Sequence, residues 1–395
     1  MRIAFVTPEF VTEYGVGGGL GNYLARMSRC LVNQGHEVHV FVSTSGVGET
    51  IFFEPGIEVT RVPSAGSGWL SLTLNAAARL LRLSALFEIL FRARSLGRAV
   101  REVEKRKPFD LIQSADYQAV GLLVRKRKPG VHVIRCSSIA ELWARTNSGG
   151  FPRSERMRAR MERLAMRRAD SVYAPSKFVA DYLKENHGIS TKVIRPPSPQ
   201  PKEMEASVIP EYLPQRFFLH FGQLKGKNGT DWLCQGLKGA FEKAPDMRVV
   251  MVGVGSGRHI GQMLEVLGEH RHKVLALYPV PKDVMYGILC KAEAVIIPSR
   301  VDNLPNTLIE SLVFRKPVIG TAGASIDELI EHGENGVLVE KDSVGGLAVA
   351  LVDFWCGRVP IGRPGLLPES ESAMREDVAV NALVSMVHEA RSLSA

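Results

Sequence analysis

Apolar positions along this chain fall into short runs separated by stretches of helical period. Arg2 to Val6 reads as a buried strand, and Leu20, Leu24, Met27 and Leu31 then recur at steps of four and three, one face of a helix. Gly35 stands where a helix stop belongs, and Glu37 to Val42 returns as a strand. Further runs follow at Ile57–Val62, Asp110–Gln113, Val131–Arg135, Ser171–Ala174 and Val193–Ile194, with helical patterns between several of them. Alternating strands and helices predict an α/β fold built on a mostly parallel, doubly wound sheet.

Six prolines crowd the stretch from Pro196 to Pro214, where apolar periodicity fades. A second alternation then begins at Phe217–Phe221, Arg248–Val252, Val274–Tyr278, Ala294–Ile297, Pro317–Gly320 and Gly336–Val339. The pattern predicts an N-terminal α/β domain over 1–195, a Pro-rich linker over 196–214 and a second α/β domain over 215–375. A helical pattern over 376–395 is expected to pack back towards the first domain. Two such domains would face each other across a cleft, with ligands beyond the carboxyl ends of the strands.

Composition narrows the class. Hydrophobic residues make up 45% and charged residues 23% of the 395, ordinary values for a globular protein. The opening MRIAFVTPEF lacks the layout of a signal peptide, and no run of about 18 apolar residues predicts a membrane span. Five scattered cysteines without metal-ligand spacing fit a reducing cytoplasm. The net charge of +9 suits nucleic acid, a membrane surface or a phosphorylated ligand. Nine basic residues against three acidic ones lie between Arg79 and Lys107, and seven arginines against two glutamates between Arg153 and Arg168. Neither run has the aromatic interleaving of a single-strand reader, so no nucleic-acid partner is expected. Leu83, Leu86, Phe87 and Leu90 share a helix face in the first run. Residues 79–107 therefore read either as a domain helix with a solvated basic face or as a helix on anionic headgroups.

The chemistry concentrates at strand exits. The segment IIPSRVDNLPNTLIESL (296–312) runs from a strand through a polar loop into a helix, with Asp302 and Glu310 across the junction. A helix N-terminus presents free N–H groups and partial positive charge, a seat for phosphate, and flanking carboxylates suit sugar hydroxyls. Any capped helix after a strand would look the same. Gly15 to Gly21 holds five glycines in seven positions between the first strand and first helix, a ligand-approach loop or a surface loop. Its register is neither a dinucleotide fingerprint nor a P-loop. FGQLKGKNGT (221–230) places Lys225 and Lys227 beyond a strand, for phosphate or for solvent, and Gly253-Val-Gly-Ser-Gly257 reads as a structural turn. No D-x-D, H-E-x-x-H or G-x-S-x-G occurs, so neither a carboxylate-held metal nor a hydrolase elbow is expected.

In this order and spacing these landmarks resemble the glycosyltransferase family 4 enzymes of the GT-B fold, over nearly the whole chain. The matching segments are the glycine loop with GNYLARMSRCLVNQGHEVHVF, ADSVYAPS (169–176), FGQLKGKNG, PSRVDNLPNTLIESL and GTAGASIDELIEHGENGVLVEKDS. The resemblance implies two Rossmann-like domains and retaining transfer from a nucleotide-sugar donor to a glycan or lipid-linked acceptor. The setting implied is surface-polysaccharide or lipopolysaccharide-type assembly, cytoplasmic and peripheral on the inner membrane face. By position, Glu310 would bind the ribose hydroxyls and Asp302 the transferred sugar. Backbone N–H groups across Asn303, Leu304, Pro305 and Asn306 would face sugar and diphosphate. Gly222, Gln223, Lys227 and Asn228 would form the phosphate turn. Gly17, Gly18, Gly19 and Ser137 would lie on the acceptor side. No metal or other cofactor is expected.

The chain departs from the family pattern at four positions. Gln223 and Asn228 stand where the turn usually carries arginine and lysine. Asp302 replaces the glutamate that opens the family's E-x7-E segment, and Ser137 takes the place of a histidine. These departures keep an alternative open: a catalytically impaired GT-B protein that binds a nucleotide or glycan and serves as a partner or scaffold.

Overall fold

The computed structural model describes the chain except for residues 14–17, 65–83, 145–149, 200–207, 255–256 and 393–395. It divides into two compact units, Met1–Pro197 with Met374–Ala395, and Ser198–Ala373.

Unit 1 is built on an eight-stranded sheet. Its strands are β1 (Arg2–Thr7), β2 (Glu37–Thr44), β3 (Glu49–Glu54), β4 (Ile57–Pro63), β5 (Leu111–Ala115), β6 (Val131–Arg135), β7 (Ser171–Ala174) and β8 (Lys192–Val193). They lie in the order β3-β4-β2-β1-β5-β6-β7-β8. Every neighbouring pair is parallel except β3 with β4. The central strands are buried on both faces, as a sheet covered by helices requires. β3 lies outside the strands predicted above. It is a half-solvated edge strand with Phe52 exposed, so it carries no buried run to announce it.

The helices of unit 1 include α1 (Gly19–Asn33), α2 (Ser84–Glu104), α3 (Ala140–Ala144), α4 (Arg153–Arg168) and α5 (Lys177–His187). Gly35 ends the α1 turn at φ +79°, a left-handed conformation that favours glycine. In α2 the core face is Ile89, Ala93, Leu96 and Val100, one step round from the predicted Leu86–Phe87–Leu90 face. Leu90 is exposed, and Leu83 and the start of the basic run fall outside the described residues.

Unit 2 holds a six-stranded parallel sheet in the order β11-β10-β9-β12-β13-β14. Its strands are β9 (Phe218–Gln223), β10 (Val249–Val254), β11 (Val274–Leu277), β12 (Ala294–Ile297), β13 (Val318–Thr321) and β14 (Gly336–Val339). Its helices include α6 (Thr230–Lys243), α7 (Gly257–Glu265), α8 (Lys282–Lys291), α9 (Asn306–Val313), α10 (Val344–Trp355) and α11 (Pro368–Ala373). Trp232, Leu237, Phe241, Leu347 and Leu351 form the α6–α10 layer of its core. Part of the expected linker belongs to this unit. The Val208 N–H donates to Asp283 O at 3.2 Å, and a Cβ on Gly287 would lie 1.9 Å from Val208 O.

The last helix, α12 (Glu376–Ser392), packs within unit 1. Val380, Leu383, Met386 and Val387 join the same core as Phe5, Leu24 and Phe41. Arg391 pairs with Asp110 at 3.1 Å, Lys192 pairs with Glu389, and Asn33 donates to Glu376 at 3.1 Å. Among the described residues no helix is long and apolar enough to cross a membrane.

Candidate functional site

In unit 2 the chain leaves β9 towards β10 and β11 on one side, and returns to β12, β13 and β14 on the other. The connections diverge between β9 and β12, and a doubly wound sheet opens its crevice at the carboxyl ends of such a pair. His220 joins the three elements beneath this point. Its Nδ1–H donates to Ile296 O at 2.9 Å, and its Nε2 accepts from Thr230 Oγ1 at 3.0 Å. Burial lowers its pKa to about 4, so the ring stays neutral and keeps both bonds.

The turn after β9 is shaped by two glycines. Gly222 adopts φ +111°, and a Cβ there would meet Thr307 Cγ2 at 3.1 Å, at the start of α9. Gly229 adopts φ +74°, and a Cβ there would stand 1.8 Å from Pro298 O. Only glycine lets the turn lie against the exit of β12. Gln223 and Lys225 are exposed, and Lys227 and Asn228 are half-buried. The Asn228 Oδ1 is buried without a hydrogen-bond partner among the described residues.

Arg300 ties this turn to the loop after β12. Its Nη1 donates to Gly226 O at 2.5 Å and to Asp231 Oδ1 at 2.7 Å, and its Nε donates to Asp342 Oδ1 at 2.5 Å. Its backbone N–H donates to Lys227 O at 3.1 Å. The motif contained Arg300, but its partners lie 69 and 42 positions away, and no local pattern announces them.

Asp302 organises the loop that follows. Its Oδ1 accepts the Asn303 N–H at 2.9 Å and its Oδ2 accepts the Ser299 hydroxyl at 3.2 Å. Ser325 Oγ donates to Asp302 O at 3.1 Å and accepts the Leu304 N–H at 2.8 Å. Leu304 and Ser325 both adopt left-handed backbone, at φ +55° and +62°, an unfavourable conformation for such residues that surrounding bonds must hold. Burial raises the Asp302 pKa, against the Asn303 N–H, the nearby Lys227 ammonium and the Ser299 hydroxyl. Lys227 and Asp302 are thus close enough to sense each other's charge.

Pro305 precedes α9 and sets its entry, and Asn306 begins it. Pro305, at the N-cap position, offers no side-chain hydrogen bond to its first turn. Glu310 lies one turn on, four positions from Asn306 and on the same face. Unit 2 therefore gathers Gly222, Lys227, Asn228, Asp302, Asn303, Leu304 and the start of α9 around one crevice.

Unit 1 has a comparable divergence between β1 and β5. Here the helix end is already occupied. The Gly21 N–H, in the first turn of α1, donates to Glu9 Oε1 at 3.3 Å. A Cβ on Gly18 would lie 2.5 Å from the same oxygen, while Gly17 falls outside the described residues and Gly19 opens α1. Beyond β5, the fully buried Asp116 accepts the N–H groups of Ser137, at 2.6 Å, and Ser138, at 3.2 Å. Burial pushes its pKa up to about 7. Glu162, also buried and raised by burial and by Asp116, accepts the Gln118 N–H at 3.0 Å. The Ser137 hydroxyl accepts from Arg135 Nη1 at 2.9 Å, and the Arg135 guanidinium stacks on Tyr23 at 3.8 Å. Glu9, Asp116 and Glu162 escaped the sequence reading, because each acts on backbone brought to it by the fold.

Comparison with known proteins finds two family profiles in series. The one described as "Glycosyl transferase 4-like domain" matches residues 18–197, and "Glycosyl transferases group 1" matches 215–356. A curated relative, the lipopolysaccharide core biosynthesis mannosyltransferase LpsB of Rhizobium meliloti (strain 1021), is 23% identical over 223 residues. That alignment takes in 51% of this chain and 60% of the relative, so the match spans less than two thirds of its length. Among solved structures, sucrose-phosphate synthase from Thermosynechococcus elongatus superposes with a TM-score of 0.76 at 15% identity, covering 98% of each chain. Anabaena HepE in complex with UDP-glucose gives 0.63 at 17% identity, covering 100% of this chain and 99% of its own. At such identities these likenesses speak to the fold, which is GT-B.

Proposed function

Because the chain belongs to the glycosyltransferases, with a 4-like domain followed by a group 1 domain, we propose that it moves a sugar from a nucleotide-sugar donor, with retention at the anomeric carbon. The donor sits at the β9–β12 crevice of unit 2. One observation carries this reading: Arg300 locks the turn after β9 and the loop before α9 into a single seat, beside Lys227 and the start of α9. In that seat Glu310 binds the ribose hydroxyls and Asp302 the hydroxyls of the transferred sugar. The positive end of α9, which Asn306 begins, faces sugar and diphosphate, whereas the Asn303 and Leu304 N–H groups, expected to join it, are engaged by Asp302 and Ser325 and hold the loop's shape. As the glycosidic bond breaks, charge develops on the leaving diphosphate, and these fixed donors and Lys227 stabilise it. On this reading the reaction needs no metal.

The acceptor is a glycan or a lipid-linked glycan, in surface-polysaccharide or lipopolysaccharide-type assembly, the setting named for the Rhizobium relative. Arg94, Arg98 and Arg101 form an exposed stripe along α2. We place this stripe against an anionic inner-leaflet surface, where each basic residue contributes about 1 kcal/mol of attraction. Cosedimentation with phosphatidylglycerol vesicles tests it: replacing the three arginines by glutamine should release the protein, and unchanged binding would remove the membrane from the account.

A panel of UDP-, GDP-, ADP- and dTDP-sugars, assayed for donor hydrolysis and transfer, tests the main reading. Turnover of one donor is expected. The non-catalytic alternative draws on the Ser137 hydroxyl, engaged by Arg135, and on the unpartnered Asn228 Oδ1 in the turn. Saturable nucleotide binding without turnover of any donor would favour it.

A further inference from the structure

Asp116 and Glu162 are two acids inside unit 1 that the donor seat does not use. Asp116 is 0% exposed and Glu162 3%. They approach from two directions: Asp116 follows β5, and Glu162 reaches in from α4. Each grips backbone at the carboxyl edge of the sheet. Asp116 accepts two N–H groups beyond β6, from Ser137 at 2.6 Å and from Ser138 at 3.2 Å. Glu162 accepts one beyond β5, from Gln118 at 3.0 Å.

The β5 exit needs that grip. Gln118 and Ala119 stand at φ +62° and +51°, left-handed backbone that is unfavourable for residues with a Cβ. Three bonds hold them there. Glu162 takes the Gln118 N–H, Arg92 Nη1 donates to Gln118 Oε1 at 2.5 Å, and the Ala119 N–H donates to Asp116 O at 2.8 Å.

The cations around the pair do not match two negative charges. From β6, Arg135 faces Asp116, but its Nη1 bonds the Ser137 hydroxyl and its plane lies on Tyr23. On α4 itself, Arg158 places Nε 3.6 Å from Glu162 Oε1, beyond hydrogen-bond length, and gives its Nη2 to Glu155. From α2, Arg92 is engaged by Gln118, with Glu88 beside it. Tyr117 lies under Arg158, and burial pushes the Cys136 thiol up, so it stays neutral. Burial first, and then the Asp116 charge, raise Glu162 well above the usual carboxylate range. Asp116, with N–H groups on both oxygens, is the better holder of charge. Glu162, with one N–H and a distant guanidinium, is the better holder of a proton.

We propose that the two acids share one buried proton, held on Glu162, and that Glu162 is the positioning residue of the β5 exit while ionised Asp116 positions the β6 exit, shaping this edge for a glycan acceptor. The acceptor role rests on the reading of unit 1 as the acceptor side; the proton does not. Glu162 Oε1 takes the Gln118 N–H, so the proton sits on Oε2. The acid then holds the turn without setting a second negative charge beside Asp116.

Infrared spectra and amide exchange of the full chain test the proton without donor or acceptor. At about pH 8, above the range of ordinary carboxyls, the wild type minus Glu162→Gln difference spectrum should show a protonated-carboxyl C=O band. With Asp116→Asn in both members, that band should titrate at lower pH, since the like charge is gone. Exchange at the Gln118 amide should rise about 5- to 100-fold in Glu162→Ala. It should keep the wild-type rate in Glu162→Gln, which copies the shape of the protonated acid and decides alone if the alanine variant does not fold. A difference spectrum without the band, or a titration unmoved by Asp116→Asn, overturns the shared proton. In the donor-panel assay, Glu162→Ala should lower kcat about 10- to 100-fold with the donor KM unchanged, and Glu162→Gln should restore it. Wild-type kcat in Glu162→Ala, or a glutamine variant as slow as the alanine one, overturns the positioning role. A wild type that turns over no donor overturns the acceptor role, while the proton is judged on its own spectra.

Discussion

The carboxyl edges of the two sheets solve the same electrostatic problem in opposite ways. Each ends in parallel strands that lead into helix N-termini, whose first N–H groups lack intrahelical partners, and each has a divergence of connections where a crevice opens. In unit 1 the chain answers those groups itself: Glu9 accepts at α1, Asp116 beyond β6 and Glu162 beyond β5. In unit 2 the acids are spent differently. Asp231 and Asp342 bind Arg300, and Asp302 turns back on its own loop. Pro305 lends no side-chain cap to the start of α9, where the proposed donor diphosphate lies. An edge that neutralises itself is a scaffold for neutral hydroxyls, whereas an edge that joins a helix start to lysines suits anions, as the proposed donor seat requires. The glycine-rich opening of unit 1 reads in sequence as a ligand-approach loop or a surface loop, and in the structure the Glu9 carboxylate already accepts an N–H from the first turn of α1.

Glycine substitutions should separate the two edges most sharply. Gly229→Ala forces a Cβ into Pro298 O at a left-handed backbone position. It should cost unit 2 about 2–4 kcal/mol and abolish nucleotide binding, read by calorimetric unfolding and titration. Gly18→Ala meets only the end of the flexible Glu9 side chain. It should shift stability by less than about 1 kcal/mol. Equal costs at both positions would break the comparison.

Protonation offers the next contrast. Unfolded His220 takes up a proton as pH falls below about 6.5, while the folded ring resists until about 4. Stability present in full above the unfolded value is therefore lost as pH falls through that window, by up to about 3 kcal/mol at its lower end. Asp116 carries the opposite sign. Its folded pKa is raised, so its contribution is full below about 3.8 and is lost as pH rises through about 7. His220→Gln should flatten the acid limb of the unfolding profile, and Asp116→Asn the limb that falls towards neutrality. Unaltered profiles would remove both groups from the account.

Arg300→Ala should act more locally. Losing charge-assisted bonds to Asp231 and Asp342 should cost about 1–3 kcal/mol, raise KM for the donor and spare kcat at saturation. A fall in kcat with KM unchanged would mean that Arg300 acts on the transition state instead. The smallest expected effect is from chelation: excess EDTA should leave the transfer rate unchanged, and a rate that collapses and returns with a divalent cation would contradict metal independence.

Much of this fold was legible because its strands are buried on both faces. Val131–Arg135, Ser171–Ala174, Ala294–Ile297 and Gly336–Val339 coincide with β6, β7, β12 and β14. β3 was missed although it carries Ile51-Phe52-Phe53: it is a short, half-solvated edge strand whose apolar residues are not held in a buried run. In α2 the apolar residues were visible but the face was misjudged, because Leu86, Phe87 and Ile89 crowd more than one stripe. Asp302 and Glu310 could be singled out because strand, loop and helix follow one another locally. The clasp of Arg300 on Asp231 and Asp342, and the reach of Asp116 to Ser137, depend on long-range packing that no local spacing encodes.

The account stands or falls on unit 2 as a nucleotide seat with Glu310 on the ribose. The most direct measurement is titration of the wild type and of Glu310→Ala with UDP, GDP, ADP and dTDP. One nucleotide should bind the wild type saturably, and Glu310→Ala should weaken it by about 10- to 100-fold, the loss of charge-assisted hydrogen bonds. Equal affinity in the variant, or no binding to a folded wild type at millimolar nucleotide, would contradict it.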